Sequence, residues 1–138
     1  MQIDQGKLEQ FLGQVVGELG AAMNTALVLI GEKLGLYKAM AGAGPMTAAE
    51  LAKKTSTDER YIREWLSAQA AGGYVTYDPA TQAFELPNEQ AFALAMEDSP
   101  AYLPGAFYLV SAIIKDEPKL LEAFRTGDGV GWDEHDVS

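Results

Sequence analysis

The chain has 138 residues, 20 acidic and 10 basic side chains, a net charge of −10, one histidine and no cysteine. Its length suits one domain, and 48% apolar against 22% charged residues is the composition of a chain that folds around a core. The absence of cysteine excludes disulfides, thiolate nucleophiles and zinc ribbons. The acidic balance excludes a general nucleic-acid binder, which needs surplus Lys and Arg to neutralise phosphates. The start of the chain lacks the basic-then-apolar order of a signal peptide. The longest uncharged apolar stretch, Leu19 to Gly31, is shorter than the ~20 residues of a spanning helix. A soluble, cytoplasmic protein with no membrane partner is the expectation.

Leu8, Leu12, Val15, Leu19, Ala22, Ala26 and Leu29 recur at alternating spacings of four and three, the repeat of a helix–helix seam. Phe11, Val16, Met23, Leu27 and Ile30 widen that stripe. An apolar face so broad must pack on its own domain or on a partner chain. Gly13, Gly17 and Gly20 have two readings: close approach of a second backbone, or a break near Gly20. The pattern resumes as helix from Asn24 to Ala41, until Gly42-Ala43-Gly44-Pro45 stops it.

Thr47 and Glu50 form a capping box, and the short helix it opens, Ala48 to Lys54, buries Leu51 and Ala52. A second cap cluster around Asp58 opens a helix to Ala71, with Tyr61, Ile62, Trp65, Leu66 and Ala68 facing inward. After Gly72-Gly73 the period changes to two. Tyr74–Tyr77 and Ala83–Leu86 read as a hairpin around the turn Asp78 to Gln82. Helices are expected over Glu89–Ala95, Gly105–Lys115 and Pro118–Arg125, followed by a Gly-rich acidic tail.

The order of these elements predicts a mainly α fold: a winged helix-turn-helix with one β-hairpin wing and additional N- and C-terminal helices. The expected division is an N-terminal amphipathic helix for dimerisation (1–23), the winged helix (24–95), C-terminal helices (96–126) and an acidic linker or tail (127–138).

Gly31-Glu-Lys-Leu-Gly-Leu-Tyr-Lys-Ala-Met40, Thr47-Ala-Ala-Glu-Leu-Ala52, Asp58-Glu-Arg-Tyr-Ile-Arg-Glu-Trp-Leu66 and Gly72-Gly-Tyr-Val75 form a recognisable series. It resembles the N-terminal winged-helix region of class I S-adenosylmethionine-dependent methyltransferases, over about residues 24 to 126. The resemblance implies a non-catalytic domain that dimerises such an enzyme and shapes its substrate entrance, with S-adenosylmethionine held by a Rossmann-like domain that would follow Ser138. The chain then corresponds to the front part of a small-molecule methyltransferase, and no cofactor is implied for the chain itself.

Within that reading the dimer-interface candidates are Leu8, Leu12, Val15, Leu19, Ala22 and Ala26, and the substrate-lid candidates are Tyr102, Phe107 and Tyr108. The last three sit in an apolar, aromatic segment whose safer reading, residue by residue, is a core helix closing over the winged helix, a role compatible with lining a pocket. The alternative is a stand-alone transcription regulator, which would reach DNA through Arg60 and Arg63. Between Thr47 and Pro87, however, four basic residues face six acidic ones. A small-ligand-binding or structural dimer is the third reading.

No catalytic or metal-binding residues are assigned. Gly127-Asp-Gly-Val-Gly131 has the composition of a cofactor loop but lacks a strand before it and a helix after it, and reads as linker. His135, with Asp133, Glu134 and Asp136, reads as solvated tail, because adjacent ligands on a flexible segment lack the outer contacts that fix a metal site.

Overall fold

Asp4 begins the first helix by accepting the Lys7 N–H on its side chain at 3.0 Å. From there α1 runs unbroken over Gln5–Lys33 in this computed structural model, which describes residues 1–135. The break entertained near Gly20 is absent. A Cβ added at Gly13, Gly17 or Gly20 would meet nothing within 4 Å, so no other part of the chain approaches there either. The glycine that matters is Gly31, where a Cβ would lie 2.6 Å from Trp65 Cζ2 and 2.7 Å from Tyr37 Cε2.

The helix expected over 24–41 is divided. Gly35 takes the left-handed conformation at φ +70°, ends α1 after Lys33, and α2 restarts over Leu36–Met40. Next come α3 (Ala48–Thr55) and α4 (Glu59–Ala71), the helix-turn-helix pair. Thr47 caps α3 by accepting the Glu50 N–H at 3.2 Å, and its hydroxyl donates to the Glu50 carboxylate at 3.1 Å. Asp58 caps α4 through the Tyr61 N–H at 3.1 Å.

The wing is β1 (Thr76–Asp78) paired antiparallel with β2 (Ala83–Glu85), in the register Thr76↔Glu85, Tyr77↔Phe84 and Asp78↔Ala83. Both strands are shorter than the alternation predicts. The N–H groups of Tyr74 and Val75 are spent on the Gln69 carbonyl at the end of α4, at 2.9 and 3.4 Å, and cannot enter the ladder. Met46 adds a bridge to Phe84 through two backbone hydrogen bonds of 2.8 and 2.7 Å, fastening the start of the helix pair to the wing. With α5 (Asn88–Leu94) beneath it, this assembly is a winged helix-turn-helix.

Its core gathers Val28, Leu36, Tyr37, Leu51, Ile62, Trp65, Leu66, Phe84 and Leu94, all buried. On α4 the inward positions are Ile62, Trp65, Leu66 and Gln69. Tyr61 and Ala68, expected inward, are exposed; they lie on the flanks of the stripe, and Tyr61 offers its ring to the Arg60 guanidinium at 5.2 Å. Gln69 takes the inward place because its amide is satisfied twice. Tyr37 Oη donates to Gln69 Oε1 at 2.5 Å, and Gln69 Nε2 donates to Asn24 Oδ1 at 2.9 Å. Burial holds the Tyr37 hydroxyl protonated far above its ordinary range. Trp65 Nε1 donates to the Leu27 carbonyl at 2.8 Å, so α4 grips the last third of α1 at two points.

By length and composition α1 is long and apolar enough to cross a membrane. Its Thr25, Val28 and Gly31 are nevertheless built into the core, and the rest of it carries Lys7, Glu9 and Glu18. Two more helices, α6 (Pro104–Lys115) and α7 (Glu117–Thr126), precede a 3₁₀ turn at Trp132–Glu134. Of α6 only Pro104 is buried, with Phe107 packed partly against the core. The helix meets the winged helix through Phe107 and through the Glu32–Lys33 end of α1, on which it packs, and leaves most of its other apolar residues exposed.

Candidate functional site: an exposed apolar face

The stripe read from the sequence is present as geometry. Leu8, Leu12 and Leu19 are 37%, 52% and 59% exposed; Ala22 and Ala26 are exposed and Val15 is half-buried. Leu109, Val110, Ile113 and Ile114 of α6 and Leu121 and Phe124 of α7 extend the uncovered apolar surface, Phe124 at 90%. The chain exposes 9490 Å², whereas a compact monomer of 14.8 kDa exposes roughly 7,000 Å². The difference, roughly 2,500 Å², is several times the ~800 Å² that one partner buries in a standard interface. That excess counts polar and apolar atoms alike; large apolar side chains exposed on α1, α6 and α7 contribute to it, and exposed apolar surface of this kind marks surfaces that bind.

Where α6 meets the foot of α1, the lid candidates separate. Phe107 and Tyr102 are half-buried, while Tyr108 is more exposed. Tyr108 Oη donates to Glu32 Oε2 at 2.6 Å, and Lys33 Nζ lies 5.6 Å from the ring centre. The bond to Glu32, then desolvation, pushes the Tyr108 hydroxyl up to about 12. Tyr102 is also raised, by desolvation first and then by the Glu32 charge. Lys38 pairs with Glu97 nearby, a bond that raises the lysine. A polar seam thus pins an otherwise apolar helix.

A hollow of about 400 Å³ opens at the other side of α1, between Leu27, Ile30, Leu34 and the Tyr61, Ile62 and Trp65 side chains of α4. Sequence reasoning missed it. Gly31, whose missing side chain lets the Trp65 and Tyr37 rings close against α1, marks where α4 meets the helix but not the hollow beside it.

The α4 face that a DNA reader would use is engaged internally. Arg63 pairs with Glu59 at 2.6 Å and Arg60 lies over Tyr61. Lys54 donates to the Ala39 carbonyl at 2.7 Å. At the wing tip, Asp78 accepts the Ala80 N–H at 2.9 Å.

Gly127 ends α7 at φ +79°, so the Gly127–Gly131 run is a helix terminus followed by a 3₁₀ turn. Strand, loop and helix, the unit that would cradle S-adenosylmethionine, are not assembled by these residues, and the only sheet among the described residues is the two-stranded wing. The cofactor does not fit this chain's own loop. His135 departs from the solvated tail expected of it: its Nδ1 lies 2.6 Å from Oδ2 of the buried Asp116 carboxylate, whose Oδ1 is 3.4 Å from Lys119 Nζ. Lys119 also donates to the Glu134 carbonyl. Among the described residues no three potential ligands converge on a metal position; Asp136 lies outside the described residues.

With this geometry in place, the comparisons are specific. The model of the Rv2258c-like winged HTH domain matches residues 22–96. Among solved structures, the mitomycin 7-O-methyltransferase MmcR superposes with a TM-score of 0.73 at 21% identity, over 91% of this chain and 37% of its own. CalO1, a methyltransferase in calicheamicin biosynthesis solved in its SAH-bound form, gives 0.69 at 22% identity, over 96% of this chain and 38% of its own. RosA of Streptomyces davawensis, the N,N-8-amino-8-demethyl-D-riboflavin dimethyltransferase, gives 0.63 at 28% identity, over 87% of this chain and 34% of its own. The chain spans little more than a third of the length of each of these three. No curated protein matches its sequence significantly.

Proposed function

The chain belongs to the Rv2258c-like winged HTH domain family, and from that premise we propose that it is the non-catalytic N-terminal domain of an S-adenosylmethionine-dependent small-molecule methyltransferase. In this reading it dimerises the enzyme and shapes the substrate entrance, while a following domain holds the cofactor and performs methyl transfer. The observation that carries the reading is the uncovered apolar face of α1, α6 and α7 beside a closed winged helix. Large apolar side chains left exposed on all three helices are what a second copy and a following catalytic domain would cover.

Support comes also from the methyltransferase neighbours, in which the matched region is a minor part of a longer chain. Tyr102, Phe107 and Tyr108 stand on the α6 side and are our candidates for the substrate entrance, since each Tyr combines apolar area with a polar tip. The cytoplasm is the proposed location.

Two measurements test this. Calorimetric titration of the 138-residue chain with S-adenosylmethionine is expected to give no saturable heat, and the chain prolonged along its reading frame to bind it. Saturable micromolar binding by the 138-residue chain would sink the assignment. Light scattering is expected to give the mass of a homodimer.

A further inference from the structure

The segment after α7 has no role in the function proposed above, yet it is fastened along its length. Gly127, at φ +79°, turns the chain at the end of α7, and the Asp128 N–H donates to Thr126 Oγ1 at 3.1 Å. The Gly131 N–H donates to Glu134 Oε2 at 2.7 Å within the 3₁₀ turn. The far end of the segment is back at the start of α7. There Lys119 donates to the Glu134 carbonyl and stands 3.4 Å from Asp116 Oδ1, while His135 Nδ1 lies 2.6 Å from Asp116 Oδ2. Between these ends Lys119, Ala123 and Thr126, at spacings of four and three, share one face of α7. They wall a hollow of about 650 Å³ whose opposite wall includes Gly129 and Val130. Residues 127–135 run back along α7.

We infer that this segment is a strap that mounts the following domain, and that His135, locked onto Asp116, is its positioning residue. The chain is thereby brought to the α6–α7 elbow in one direction, where an unlocked tail would swing from the far end of α7. The mounting rests on the methyltransferase reading above; the strap does not.

The lock is built from a buried charge. Asp116 joins α6 to α7, and its side chain is 1% exposed. A carboxylate withdrawn from water is costly unless donors meet it. Lys119 comes from the next turn of α7, but His135 comes from the strap. Its ring N–H donates and the carboxylate accepts, a charge-assisted bond. The Trp132 ring meets the imidazole edge-on at 5.8 Å and stands with it at the elbow. A pair of this kind adds little net stability but penalises every arrangement that parts it. It selects the docked strap over loose ones.

The consequence is one of position. The ten residues of α7 separate its ends by ~15 Å. An exit at the elbow puts the next domain beside the end of α6, the helix that carries Phe107 and Tyr108. An exit at the end of α7 puts it ~15 Å away and free to turn.

His135 is the only histidine, so its ring signals are unambiguous. In the 138-residue chain, NMR relaxation is expected to give residues 128–135 order parameters near ~0.85, like those of the helices, and His135→Ala to lower them below ~0.6 with α3 and α4 unchanged. His135→Asn keeps an N–H donor in the place of Nδ1 and is expected to keep the strap ordered. In the chain prolonged along its reading frame, X-ray scattering is expected to give a radius of gyration that grows with His135→Ala and not with His135→Asn. Order parameters below ~0.6 in the unaltered segment overturn the strap. Order retained in His135→Ala, or lost equally in His135→Asn, overturns the lock. An ordered strap with a radius of gyration that His135→Ala leaves unchanged overturns the mounting and leaves the methyltransferase reading standing. A prolonged chain that fails to bind S-adenosylmethionine overturns that reading and leaves the strap standing.

Discussion

The winged helix over residues 24–95 and the helices that flank it obey the same apolar periodicity and end in opposite states. In the first, Leu36, Leu51 and Leu66 are completely buried, Phe84 nearly so, and the buried polar groups Tyr37 and Gln69 satisfy each other. In the second, α1 before Met23, α6 and α7 bury almost nothing: Pro104 is the only buried residue of α6, and α7 has none. A period tells which side of a helix is apolar and not what covers it. The body finds its cover inside the chain; the flanks keep their apolar side chains exposed.

The sharpest way to break that contrast is to truncate one leucine in each region. Leu51→Ala removes a side chain with no exposure, and should destabilise the fold by ~2–5 kcal/mol through lost transfer energy and a cavity. Urea denaturation measures it. A loss below ~1 kcal/mol would mean that the core is far less closed than its burial indicates.

Next in size is Gln69→Leu. The substitution keeps the volume but leaves the Tyr37 hydroxyl and the Asn24 amide without their partner, at a cost of ~1–3 kcal/mol. Adding Tyr37→Phe should recover part of the loss, because the orphaned hydroxyl goes with it. A double variant no more stable than Gln69→Leu alone would show that the network holds α1 by shape and not by hydrogen bonding.

Leu12→Asp should barely change the stability of the fold, within ~0.5 kcal/mol on the monomer, because the side chain is already half in water. Its effect is expected in mass: light scattering should fall from dimer to monomer. If the substitution instead unfolds the chain, the stripe is an internal seam and the contrast between the regions collapses.

How much of this could be read from residues alone follows the same divide. The helix-turn-helix was legible because its signals are local: Thr47 and Asp58 cap their helices, and Gly42 to Pro45 and Gly72-Gly73 interrupt the periodic runs. Other features depend on distant partners. Gly20 looks like a helix breaker, yet α1 runs through it unbroken, since one glycine costs a helix interior only ~1 kcal/mol. Gly35, one glycine among several, is the one that ends the helix. The bridge of Met46 to Phe84, the inward turn of Gln69 and the contact of His135 with Asp116 all join residues too far apart in sequence for a period to report them. The apolar stripe was visible as a pattern, and its exposure is what the structure adds; the hollow at its foot was not visible, because it is the space left between α1 and α4.

The smallest expected effect concerns the joint between the regions. Tyr108 donates to Glu32 at 2.6 Å, and this bond, with minor desolvation, raises its hydroxyl to about 12 from an ordinary value near 10. A group whose folded value is raised contributes stability that is complete below the unfolded value and is lost as pH climbs through the folded one. The docking of α6 on α1 should therefore be unaffected up to about pH 10 and weaken between about pH 10 and pH 12, as the phenolate forms against the Glu32 carboxylate. The side chain is partly solvated, so the free energy involved is slight, and hydrogen exchange in α6 reads it better than global unfolding. Tyr108→Phe should remove the alkaline step in exchange while exposing α6 a little more at neutral pH. The difference in ultraviolet phenolate absorbance between the two proteins should titrate about two units above an ordinary tyrosine. A difference titrating near 10 would mean that Glu32 does not hold the hydroxyl, and that α6 rests on α1 by its apolar side chains alone.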